Sequence, residues 1–109
     1  MKEIIITFVI ATVYNATPQQ CNKDFLRTAS MKKINIENPV EHRYIAVSRD
    51  IEDMGITLGD SVMVSNAGKM NGKYYVEDRM NKRWTKKIDF LVNKDVKLGK
   101  WFDVIITKL

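Results

Sequence analysis

A single cysteine, Cys21, rules out an intrachain disulfide and leaves the redox compartment open. The single histidine, His42, together with Cys21 is too little for a zinc site, and no aspartate spacing completes one. The apolar run at residues 4–11 is far too short to cross a bilayer as a helix. No stretch of ten or more residues carries a 3.6-residue apolar period, which excludes a helical bundle or a doubly wound sheet. No internal repeat, low-complexity tract or linker divides the chain, so residues 1–109 are expected to form one domain. Nothing in the sequence calls for a cofactor.

What is present describes an ordinary folded chain of 109 residues, 45% apolar and 28% charged. Eighteen Lys and Arg against thirteen Asp and Glu give +5, with eight of the cations between Arg79 and Lys100. Such a surface suits an anionic partner, whether nucleic acid, acidic lipid or a carboxylate-bearing glycan, and equally suits plain solubility. Nucleic acid is the weakest of these, because the aromatics are not interleaved with the basic residues as a stacking platform. The amino terminus resembles a very short signal peptide in which Glu3 spoils the positive leader. It reads better as a first strand over residues 4–14, rich in Ile, Val, Thr, Phe and Tyr. Export would place the chain in the periplasm or cell envelope.

Further strands are expected at residues 43–47, 61–65, 73–78, 88–92 and 101–109. Asn15-Ala16-Thr17-Pro18 breaks the first strand's pattern, and a long structured loop follows to Val40. Asp50 is expected to cap a helical turn at residues 51–54 that Gly55 stops. In the last strand, alternation places Phe102, Val104 and Ile106 on one face, and Trp101, Asp103, Ile105 and Thr107 on the other. Six short strands with hardly any helix predict an all-β fold, closed into a small barrel because closure removes exposed edges.

Within residues 74–92 two aspartates sit in apolar strands. Asp78 ends the segment Tyr74-Tyr75-Val76-Glu77, and Asp89 lies inside Ile88-Asp89-Phe90-Leu91-Val92. A carboxylate in such surroundings loses hydration and must be hydrogen-bonded, ion-paired or protonated, and the protonated form is a general acid. The competing reading is that both cap turns or pair with nearby Lys and Arg.

In this order the chain resembles the double-psi β-barrels of rare lipoprotein A and of the three-aspartate domain in membrane-bound lytic transglycosylase A. The matching pieces are Ala11-Thr12-Val13-Tyr14-Asn15, Thr28-Ala29-Ser30, Ile45-Ala46-Val47-Ser48, Leu58-Gly59-Asp60-Ser61-Val62-Met63-Val64, Val76-Glu77-Asp78-Arg79 and Lys87-Ile88-Asp89-Phe90. Asp50, Asp78 and Asp89 align with the three family aspartates. The resemblance implies a six-stranded double-psi barrel with one or two short helical turns, acting on peptidoglycan glycan strands.

By the same resemblance Asp89 is the general acid of a lytic transglycosylase and Asp78 the second carboxylate. Tyr14, Ser48, Asp50 and Arg79 follow as substrate contacts by motif position. Trp84 is a candidate for stacking on a sugar ring where exposed, against a reading as partly buried core. If the two carboxylates share a groove, their repulsion is expected to raise one pKa and leave the other ionised. Ser48 stands where rare lipoprotein A has a functional histidine, and Asp78-Arg79-Met80 replaces its glycine-containing turn. These departures, and the lack of a second domain to clamp a glycan, favour the alternative of a non-catalytic glycan-binding or structural barrel in a phage or envelope assembly. Sequence alone does not fix the oligomeric state.

Overall fold

Alternation of β-branched and polar residues drives the fold. The structure, a computed structural model, describes residues 4–15, 28–29, 33–35, 37–93, 95–96 and 99–109. Among the described residues six strands form: β1 (Ile6–Asn15), β2 (Tyr44–Val47), β3 (Ser61–Ser65), β4 (Gly72–Arg79), β5 (Lys87–Val92) and β6 (Lys100–Lys108). One short helix, α1 (Arg49–Asp53), follows β2, and 3-10 turns occupy Pro39–His42 and Gly68–Met70. No described helix is long and apolar enough to cross a membrane. Pro18, Cys21, Ser30 and Leu98 lie outside the described residues.

The strands close into a barrel in the order β1-β5-β2-β4-β3-β6. β1 with β5 and β2 with β4 are parallel, and the other pairs are antiparallel. Every pair joins a strand from the first half of the chain, β1 to β3, to one from the second, β4 to β6. Exchanging β1 with β4, β2 with β5 and β3 with β6 reproduces the same set of pairs. This is the interlocked, two-fold arrangement of a double-psi barrel, and neither half makes a sheet alone.

Period-two alternation sends Val9, Ala11, Ile45, Val47, Val62, Val64, Tyr74, Val76, Ile88, Phe90, Val104 and Ile106 into one core. Each Val, Ile or Phe so buried contributes about 1.5–3 kcal/mol, which is why the alternating positions decide the register. Phe90 sits among aromatics, 4.9 Å from the Tyr74 ring and edge-on to Trp101 at 5.6 Å.

Two expectations are corrected. In β6 the alternation fails at its start: Phe102 points outward, 62% exposed, while Trp101 packs on the core. The cause is a bulge, since β1 advances from Val9 to Ala11 while β6 advances from Val104 to Trp101. Asp103 takes φ 54° there, and its carbonyl accepts the Asn66 side-chain amide at 2.9 Å. The second correction concerns Asp50, which lies inside the first turn of α1 while Ser48 holds the N-cap position. Ser48 is extended, at φ −67° and ψ 154°, and its carbonyl already accepts the Ile51 amide, so the helix starts earlier than its apolar residues suggest. Gly55 follows at φ 110°, where an added Cβ would also meet the Ile5 side chain at 2.9 Å.

Candidate functional site

Strand register puts four residues in one row: Thr12 on β1 pairs with Asp89 on β5, Asp89 with Ala46 on β2, and Ala46 with Asp78 on β4. Cross-strand partners point to the same face of a sheet. Their neighbours Ala11, Ile88, Phe90, Ile45 and Val47 fill the core, so the row lies on the outside of the barrel.

Asp78 owes its place to a second bulge. From Ile45 to Ala46 the partner on β4 advances by two residues, from Val76 to Asp78. In an unbroken ladder Glu77 would stand opposite Ala46 and Asp78 would turn to the other face. The extra residue re-aims the carboxylate onto the row. Two inter-strand steps separate the chain positions of Asp89 and Asp78, about 10 Å at normal strand spacing. The smallest chiral side chain, Ala46, lies between them.

The carboxylates differ in their partners. Asp78 accepts hydrogen bonds from the Tyr14 hydroxyl at 3.3 Å, the Ala29 amide at 3.1 Å and the Arg79 amide at 3.0 Å. Asp89 accepts one, from the Thr12 hydroxyl, with Lys87 two residues back along β5 supplying positive charge. Asp89 as a residue is half-buried.

Loss of hydration raises both pKa values above the ordinary 3.8. Hydrogen bonds from Arg79, Ala29 and Tyr14, with the Arg79 charge, pull Asp78 part of the way back; the Thr12 bond and Lys87 do so for Asp89. Burial is the largest cause for each, so the two carboxylates shift in the same direction.

The other predicted residues fall into four places. Tyr14 joins the row through Asp78 and packs beside Leu91 and Ile34. Ser48 and Asp50 form a strut at the start of β5. Ser48 is fully buried, and its Oγ accepts the Lys87 amide at 3.0 Å. Asp50 accepts the Lys86 amide at 2.9 and 3.2 Å, fixing Lys86 at φ 48° where β5 begins. Burial by itself would raise Asp50, yet hydrogen bonds from the Ser48 hydroxyl and from the amides of Lys86, Asp50 and Ile51 together hold it below 3.8. Arg79 turns away to α1, gripping Glu52 with Nε at 3.2 Å and Nη2 at 3.1 Å. Trp84 is 38% exposed, with the Lys87 ammonium 3.8 Å and the Arg83 guanidinium 4.9 Å from its ring centroid.

Thr12, Ala29, Ala46 and Lys87 belong to the site and carried no sequence assignment. Thr12, Ala46 and Lys87 occupy outward positions of their strands, a signal that alternation alone supplies. Among the described residues, no three His, Cys, Asp or Glu side chains gather to hold a metal ion. No family model, curated protein or solved structure matches this chain.

Proposed function

We propose that this barrel acts on peptidoglycan glycan strands as a lytic transglycosylase, with Asp89 as its general acid and base. One observation carries the reading: a half-buried, dehydrated carboxyl with a single side-chain hydrogen bond stands in a row with a second carboxyl. Burial keeps the Asp89 proton bound to a higher pH than an exposed aspartate would, as a proton donor requires.

In the proposed reaction Asp89 gives its proton to the oxygen between N-acetylmuramic acid and N-acetylglucosamine as that C–O bond breaks. The resulting carboxylate takes the proton of the muramic C6 hydroxyl while its oxygen bonds to C1, closing a 1,6-anhydro ring and regenerating the acid. No water enters, so one acid suffices where ordinary glycosidases need a pair. Asp78, with three donors on it, is better suited to holding Tyr14 and Ala29 than to moving a proton. Thr12 orients Asp89, and Lys87 stabilises its ionised form between the two proton transfers.

Binding without cleavage is the second reading. The burial of Ser48, at the position of the family's histidine, and the use of Arg79 by Glu52 favour it. Digestion of purified sacculi with wild type, Asp89→Asn and Asp78→Asn separates the two. Anhydro-muropeptides released by wild type and lost with Asp89→Asn support the enzyme. Pelleting with sacculi without release supports binding alone, and neither release nor pelleting overturns both.

A further inference from the structure

Away from the carboxylate row, the outer face of β1, β6 and β3 is apolar and uncovered. Ile6, Phe8 and Ile10 alternate outward along β1 at 54%, 63% and 37% exposure, beside Phe102 at 62%. Register places Ile6 against Thr107 and Met63 in one row, and Phe8 against Ile105 and Ser65 in the next. Both rows are free of charged side chains, in a chain that carries +5.

We infer that this face is an isologous interface between two copies of the chain, with Phe8 and Phe102 of each packing on the sheet of the other. Area supports a partner. With about 200 Å² for a full aromatic side chain, the exposed apolar groups present on the order of 500 Å². That is near the upper end of what a monomer leaves uncovered, and two facing copies bury roughly 1,000 Å², where specific interfaces begin. Charge favours a second copy over an anionic partner. Two chains of the same sign approach with least repulsion through these two uncharged rows, with the Lys100 ammonium, 5.1 Å from the Phe102 ring, at their margin, whereas a polyanion would be drawn to the cations outside the rows. The hydroxyls of Thr107 and Ser65 favour a copy over lipid. A two-fold axis offers each of them a polar group from across the interface, while acyl chains offer none.

Sedimentation equilibrium over a concentration series tests this on the full chain, with Phe8→Lys and Phe102→Lys as separate variants. Wild type is expected to approach twice the chain mass, and each lysine to weaken self-association by about tenfold or more. Circular dichroism and melting of both variants confirm the fold; their exposed positions predict no loss. Three results would overturn the proposal: a wild type that stays monomeric at its highest attainable concentration, a dimer indifferent to both lysines, or a monomer that co-sediments with phosphatidylcholine vesicles through the same residues.

Discussion

Asp78 and Asp89 pair with one and the same residue, Ala46, from the strands on either side of it. The methyl of Ala46 therefore sets the floor between the two carboxyls. Ala46→Leu places three more carbons there while leaving both aspartates intact. We expect release of anhydro-muropeptides to fall at least tenfold, with a stability loss of about 1–3 kcal/mol from overpacking against the neighbouring strands. Sacculus digestion alongside urea denaturation checks the pair of effects. Undiminished release by a folded Ala46→Leu variant places the reaction elsewhere.

Asp89 gives a pH signature of known sign. Its folded pKa lies above the unfolded one, so the native state binds the extra proton. The contribution of this group is fully present below the unfolded value and is lost as pH rises through the folded value. Asp89→Asn stays neutral throughout. Its melting temperature relative to wild type should therefore climb as pH rises from below 3.8 toward neutrality. Equal differences at all pH values would mean that the carboxyl is not dehydrated as described. The proposed proton donation follows the same titration, with release falling as pH rises through the Asp89 pKa.

The Tyr14 hydroxyl and the Ala29 amide meet on Asp78, tying β1 and the segment at Ala29 to β4. Tyr14→Phe removes one donor and keeps the ring against Leu91. A cost of about 1 kcal/mol is expected. The Asp78 pKa should rise further, because a bond that favours the charged form is gone. Carboxyl NMR titration reads the shift, and faster amide exchange at Ala29 reads the loosened segment. An unmoved titration would show that the Tyr14 contact contributes nothing to Asp78.

Much of this architecture is legible in the residues, and two of the misses share one cause. Clean alternation of Val62 and Val64 between turn-forming segments places β3 at its observed bounds. The same reasoning places β4 and β5 to within a residue at each end. Two bulges break the counting. Each is an extra residue whose existence depends on the facing strand, and single-sequence alternation has no access to that. At β6 the bulge reverses Trp101 and Phe102; at β4 it decides where Asp78 points. The site is legible in its carboxylates, since Asp among Ile, Phe and Val implies dehydration. The hydrogen-bonding roles of Ser48 and Asp50 are not legible in their motif positions. Their hydrogen bonds run to Lys86 and Lys87, thirty-six residues on from Asp50 and thirty-nine from Ser48.

That strut provides the opposite pH signature from Asp89. Ser48→Ala takes a donor from Asp50 and leaves the Lys87 amide without its side-chain acceptor beneath the surface. The cost is expected at about 1–3 kcal/mol near neutral pH, as for other buried groups deprived of a partner. Asp50 is depressed in the folded state, so its stabilisation is present above the unfolded pKa and lost as pH falls through the folded one. Without the Ser48 hydroxyl the depression shrinks, and the melting difference between Ser48→Ala and wild type should narrow as pH is lowered through 3.8 and below. Because Ser48 holds only the backbone amide of Lys87 and hydrogen-bonds to neither carboxylate of the row, sacculus release per folded molecule should stay within about twofold of wild type, a shift of under about one kcal/mol in transition-state terms. A folded Ser48→Ala variant that binds sacculi but releases nothing would instead place this hydroxyl in the chemistry.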